Sequence, residues 1–264
     1  MGADCVIADP NHTGQMIYAV SPSGSTEVGL YEGASINPAT STQLQPATYD
    51  DISMLQATSS GAIFFIGTVS GTSYLYELAN GAVTEISQAD TAASTIDGTI
   101  IAFTMPGSSG DLLYVMSTAG GGTPTLLVGT GNNLYPAFSK DNTKIVYSGD
   151  NMSGSSTPFD LYEIPTAGGT PTQITNTPTL SELGASFNGN GTELSCVLLS
   201  SDSTQCGIGV ISGSTETLIV NDTNIPTTTY WTTSSGRGIG VHSAASHFQR
   251  LKGFRPRRVK RRAG

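Results

Sequence analysis

The chain has 264 residues, only 12% of them charged, and it is rich in glycine, serine and threonine. That composition favours short strands and many turns over helices, and the length suits one large all-β domain. Charge is split along the chain: all twenty carboxylates lie between Asp4 and Asp222, and through Gly236 only Lys140 and Lys144 are basic, a formal −18. From Arg237 onward there are nine basic residues and no acidic one. An acidic body of this kind repels nucleic acid. No apolar run reaches the roughly eighteen residues of a membrane helix. The N-terminus shows neither the basic region nor the apolar core of a signal peptide.

Six related openings follow one another along the chain. They are "CVIADPNHTGQMIYAV" from Cys5, "ISMLQATSSGAIFFIG" from Ile52, "ASTIDGTIIAF" from Ala93, "YPAFSKDNTKIVYSG" from Tyr135, "LGASFNGNGTELSCVLL" from Leu183 and "TTYWTTSSGRGIGV" from Thr228. Each reads as a short strand, a polar turn and a second, β-branched strand. The turn centres are Gly14, Gly61, Gly98, Asn142, Gly191 and Gly236, spaced 37 to 49 residues apart. Glycine and asparagine adopt positive φ there at little cost.

Two second halves match closely: "DLLYVMSTAGGGTPTLL" from Asp111 and "DLYEIPTAGGTPTQI" from Asp160. Each is a strand, a Gly-rich turn and another strand. Four short strands with their turns need about 40–50 residues, the size of one propeller blade. The expected fold is therefore an all-β β-propeller of four-stranded blades over 1–48, 49–90, 91–132, 133–178, 179–222 and an incomplete 223–243. Residues 244–264 form a basic segment expected to be disordered.

The repeat resembles that of TolB-like β-propellers. Pro136, Phe138, Ser139, Asp141, Ile145 and Tyr147 match the first half of that family's blade. Asp160, Leu161, Tyr162, Gly168, Gly169, Ile174 and Thr175 match the second, and Tyr230, Trp231, Gly236 and Ile239 begin another copy. The resemblance implies the propeller fold rather than one function, because propellers of this kind carry many roles; the expected role is a non-catalytic binding scaffold. The expected partner is a protein or a carbohydrate, and the expected place is outside the cell or in the periplasm. The rival class is a hydrolase of glycosidase or esterase type at the mouth of the central channel. A further alternative is the propeller portion of a larger prolyl-oligopeptidase-like enzyme.

No catalytic signature occurs: there is no G-x-S-x-G elbow, and no catalytic or cofactor-binding residue is assigned. His12, His242 and His247 have no metal-ligand neighbour at useful spacing in the sequence. Aligning the repeats places Asp51, Asp90, Asn133 and Glu182 just before the innermost strands of successive blades. A ring of oxygen ligands at the channel mouth could hold Ca2+; the alternative is solvated loop acids. "DNTK" at Asp141 and "NGNGTE" at Asn188 read as hairpin turns rather than calcium loops.

Cys196 and Cys206 flank an expected hairpin tip, so they are either a cross-strand disulfide or two separate small thiols, with Cys5 left over. Aromatic residues, among them Phe65, Phe103, Tyr114, Tyr147 and Tyr162, recur in each blade as apolar filling. The basic cluster from Arg250 to Arg262 could contact an anionic surface, lie on the acidic body, or be a non-native end.

Overall fold

The computed structural model describes residues 5–108, 110–150, 158–200, 206–213 and 215–222. The expected partial sixth blade, the basic tail, His242 and His247 lie outside them. The described residues form twenty strands and no helix. The first sheet holds β1 (Cys5–Ala8), β2 (Met16–Val20), β3 (Val28–Gly33) and β4 (Thr42–Tyr49). The second holds β5 (Asp51–Ala57), β6 (Ile63–Val69), β7 (Thr72–Ala79) and β8 (Ala82–Gln88). The third holds β9 (Thr91–Ser94), β10 (Ile100–Gly107), β11 (Gly110–Ser117) and β12 (Thr125–Val128). The fourth holds β13 (Asn133–Phe138), β14 (Lys144–Gly149), β15 (Asp160–Pro165) and β16 (Thr172–Gln173). The fifth holds β17 (Leu180–Phe187), β18 (Glu193–Ser200), β19 (Cys206–Ser212) and β20 (Thr215–Asp222).

Within each sheet every strand pairs antiparallel with the next in sequence. The first strands of successive sheets lie side by side: β1 against β5, β5 against β9, β9 against β13, β13 against β17. This is the blade arrangement of a β-propeller. The anticipated turn residues do what their chemistry allows. Gly14, Gly61, Gly98, Asn142 and Gly191 all have positive φ, between 59° and 89°.

The core lies between sheets. Neighbouring side chains point to opposite faces of a strand, so a blade with a neighbour on each side reads as a continuous apolar run rather than an alternating one. Phe65 packs toward the first sheet with Ile17, Leu30 and Ile52. Phe64, one residue earlier, packs toward the third with Ile101 and Phe103. Burying each such ring contributes about 1.5–3 kcal/mol.

A bulge recurs in the innermost strands. The ladder register shifts between Ser53 and Gln56, Leu134 and Ala137, and Leu183 and Ser186. Met54, Tyr135 and Gly184 take positive φ there; only at Gly184 is that conformation free of Cβ strain. Bulging frees backbone groups to face the preceding blade. The Tyr135 N–H donates to Thr91 Oγ1 at 2.9 Å and the Gly184 N–H to Ser148 Oγ at 3.2 Å. The bulges at Tyr135 and Gly184 thus serve as joints between blades.

Candidate functional site

Each innermost strand starts at one end of the propeller, here called the leading face, and runs toward the opposite face. Antiparallel pairing puts the second-to-third-strand connections on the leading face too. Asp50, Asp51, Asp90, Asp111, Asp150 and Asp160 therefore share that face. Several of them tie loops down. Asp50 Oδ2 accepts from the Gly71 N–H at 3.2 Å, Asp150 Oδ1 from the Asn132 N–H at 2.9 Å, and Asp160 Oδ1 from the Thr177 N–H at 3.1 Å.

The four anticipated channel-mouth residues separate into two kinds. Asp51 heads β5 and Asp90 stands immediately before β9; both are half-buried. Asn133 and Glu182 are structural. Asn133 is 3% exposed, and its Nδ2 donates to the carbonyls of Asp111 at 2.7 Å, Thr130 at 2.9 Å and Gly131 at 3.3 Å. Glu182 is fully buried as the third residue of β17; Thr175 Oγ1 donates to its Oε2 at 2.9 Å and Thr177 Oγ1 bonds its Oε1. Asp51, Asp90 and Glu182 do not bring three carboxylate oxygens together into one ligand set among the described residues.

What converges instead is the group around Asp111. Burial, then the charges of Asp90 and Asp150, push its carboxyl up to about 6. Burial and the same Asp90 charge also raise the Tyr135 phenol. Burial, Asp160 and Asp150 raise the Tyr162 phenol, whose oxygen is buried with no hydrogen-bond partner among the described residues. Asp111 and Asp160 head the two matching repeat halves, so the repeat itself was the signal for them.

The opposite face carries the first turns and both described lysines. Lys140 Nζ donates to the Gly189 carbonyl at 2.9 Å and Lys144 pairs with Glu163 at 2.7 Å. Asp97 and Asp141 organise equivalent turns there: Asp141 Oδ1 accepts from Ser139 Oγ at 2.6 Å, Thr143 Oγ1 at 2.9 Å and the Thr143 N–H at 3.1 Å. Asp97 does the same with Thr95 and Thr99. Asn188 Oδ1 takes the N–H groups of Thr192 and Glu193. These segments are hairpin turns whose side-chain oxygens satisfy their own backbone.

Two sequence expectations are corrected. His12 does have ligand-type neighbours: its Nδ1 lies 2.8 Å from Asp9 Oδ2 and 2.8 Å from Glu32 Oε1. Glu32 is remote in sequence; only the pairing of Ile17 with Glu32 across β2 and β3 brings it to the first hairpin. The Cys196–Cys206 disulfide does not fit the ladder. Cys196 stands opposite Gly209 and Cys206 opposite Leu199. That three-residue offset separates the two by roughly 10 Å along the strands, beyond the Cα reach of a disulfide.

No family model matches the chain, and no curated protein matches it. Solved structures do. A TolB protein of Agrobacterium tumefaciens superposes with a TM-score of 0.62 at 13% identity, covering 83% of this chain and 81% of that one. TolB of Acinetobacter baumannii gives 0.58 at 19% identity, over 80% of this chain and 52% of the other. Oligogalacturonate lyase of Vibrio parahaemolyticus gives 0.57 at 12% identity, over 89% and 69%. The chain has a TolB-like β-propeller fold. Identities this low establish architecture alone.

Proposed function

We propose that the chain is a non-catalytic binding scaffold, exported or part of a cell envelope, that docks a cationic segment of a partner protein on its leading face. The crowding of carboxylates on the leading face, which holds neither described lysine, carries this reading. Asp50, Asp51, Asp90, Asp111, Asp150 and Asp160 crowd one face, while both described lysines sit on the other. Burial and then the charges of Asp90 and Asp150 hold the Asp111 proton, and a cation arriving beside it opposes both. The test is titration calorimetry of the protein with a lysine-rich peptide and with its glutamate-rich counterpart. Binding of the first alone, weakened by salt and by Asp111→Asn with Asp150→Asn, supports the reading. Equal binding of both peptides, or none, sinks it. The basic residues of the chain's own tail compete in this assay, so the titration is repeated on a chain ending at Ser243.

One observation favours a hydrolase instead. Asp111 holds a proton to about 6 close to Asp90 and Asp150, and a carboxyl that keeps its proton beside other carboxylates is the pattern of a general acid. Under that reading Asp111→Asn abolishes turnover of a polysaccharide or ester without lowering the melting temperature.

A further inference from the structure

We propose that Asp9, His12 and Glu32 form a binding site for a divalent transition-metal ion, Zn2+ foremost, on the opposite face of the first blade. The donor atoms of these three side chains all lie within 4.8 Å of one another. Ligand atoms sit about 2.0–2.2 Å from a zinc ion. Two of them around a tetrahedral ion are therefore roughly 3.4 Å apart, and His12 Nδ1 lies 2.8 Å from each carboxylate oxygen, so a small outward shift of the side chains admits the ion.

One imidazole nitrogen carries at most one proton, so a single N–H is shared between two carboxylate oxygens, both 2.8 Å away. A dication between the three satisfies both carboxylates and the nitrogen at once.

The site is also held in shape before any ion arrives. Asp9 Oδ1 accepts from the Asn11 N–H at 2.8 Å, which leaves Oδ2 directed at the imidazole. The Asp9 N–H donates to the Gln15 carbonyl at 3.1 Å, closing the loop. Asn11 Nδ2 donates to the Thr58 carbonyl at 3.1 Å, which anchors that loop to the second blade. Glu32 is fixed by its place in β3. The Asp9 side chain is 4% exposed and that of Glu32 21%, while His12 is 63% exposed, an open side for ion entry and for water ligands.

An imidazole with two carboxylates suits zinc and its first-row neighbours. Ca2+ takes six to eight oxygens, more than these two carboxylates and water readily supply. Bound here, the ion clamps the first hairpin to the third strand of the same sheet.

The test is calorimetric titration of the full chain with ZnCl2, with MnCl2 and CaCl2 as comparators, alongside thermal unfolding. One equivalent of zinc is expected, with a rise in melting temperature that grows with free zinc. Loss of a mere outer partner of a metal site costs about 10–100-fold in affinity, so His12→Ala and Glu32→Gln should each weaken binding by at least ~100-fold. His12 is exposed, so His12→Ala is expected to keep the native circular dichroism spectrum. If Glu32→Gln does not fold, the visible absorption of Co2+-loaded protein with and without the His12 substitution decides. A chain with His242→Ala and His247→Ala should keep the site. No stoichiometric binding, unchanged affinity in His12→Ala, or loss in the double variant overturns the proposal.

Discussion

The rings of Tyr147 and Tyr162 stack across the β14–β15 ladder, centroids 5.7 Å apart and planes 21° apart. The same relation recurs between second and third strands of the three preceding sheets: Tyr18 on Tyr31, Phe65 on Tyr76 and Phe103 on Tyr114. Each pair is directly opposed in register. In the fifth sheet Cys196 faces Gly209 at the corresponding place. Offset stacking of this kind adds about 0.5–1.5 kcal/mol beyond the area buried. Phe103, fully buried, should therefore cost about 3–5 kcal/mol when truncated to alanine, read as a lowered denaturant midpoint.

Tyr162 shows the limit of that design, because its hydroxyl is buried without a hydrogen-bond partner among the described residues. A buried hydroxyl left unsatisfied costs about 1–3 kcal/mol. Tyr162→Phe keeps the ring and removes the penalty. Its unfolding midpoint in urea should rise; a fall would mean that the hydroxyl is bonded in solution.

Asp111 makes stability depend on pH. An unfolded aspartate titrates near 3.9, and in the folded chain burial and two nearby carboxylates move this one up to about 6. Between these values the folded protein keeps a proton that the unfolded chain releases, so stability falls as pH rises from about 4 to about 6. Asp111→Asn should flatten that segment of the profile. Above pH 6 it should stabilise by on the order of 1–2 kcal/mol, allowing for solvent screening of this partly exposed group. Melting temperatures of both proteins from pH 4 to 8 check it.

Asp141 works in the other direction. Hydrogen bonds from Ser139 and from the Thr143 backbone and side chain lower its carboxyl to about 2. Its contribution is complete above the unfolded value near 3.9 and is lost as pH falls toward 2. Asp141→Asn retains an acceptor oxygen, as Asn188 does in the next blade, and should cost less than Asp141→Ala at pH 7. Asp141→Ala should lower the melting temperature at pH 7 and converge with the parent near pH 2.

Glu182 separates a structural from a catalytic carboxylate. Its oxygens are engaged by Thr175 and Thr177 in a fully buried setting. Glu182→Ala should cost about 2–4 kcal/mol by stranding those hydroxyls. Preserved thermal stability would return Glu182 to the list of acids available to a ligand.

The blade repeat was legible because the turns announce themselves. Gly14, Gly61, Gly98, Asn142 and Gly191 mark positive-φ positions that few other residues fill cheaply. The same logic found the hairpin roles of Asp141 and Asn188. What stayed hidden depended on contacts between strands distant in sequence. Glu32 meets His12 only through the β2–β3 register, and Asp150 meets Asn132 only across the fourth sheet. Glu182 looked like a rim acid by alignment, but it stands within β17 opposite Leu198 and the two threonines before it hold it inside. Cys206 looked like a partner for Cys196 until the ladder register placed them three positions apart.

The first turns touch in pairs: Asn11 reaches the Thr58 carbonyl, the Ser59 N–H reaches the Ile96 carbonyl, and Lys140 reaches the Gly189 carbonyl. Each blade therefore senses chiefly the one before and the one after. Such a chain behaves less like a globule than like a row of dominoes, whose cooperativity is set by its nearest-neighbour couplings. A substitution that loosens one tip should speed amide exchange in its own blade and the adjacent ones, with the disturbance fading by the second blade away.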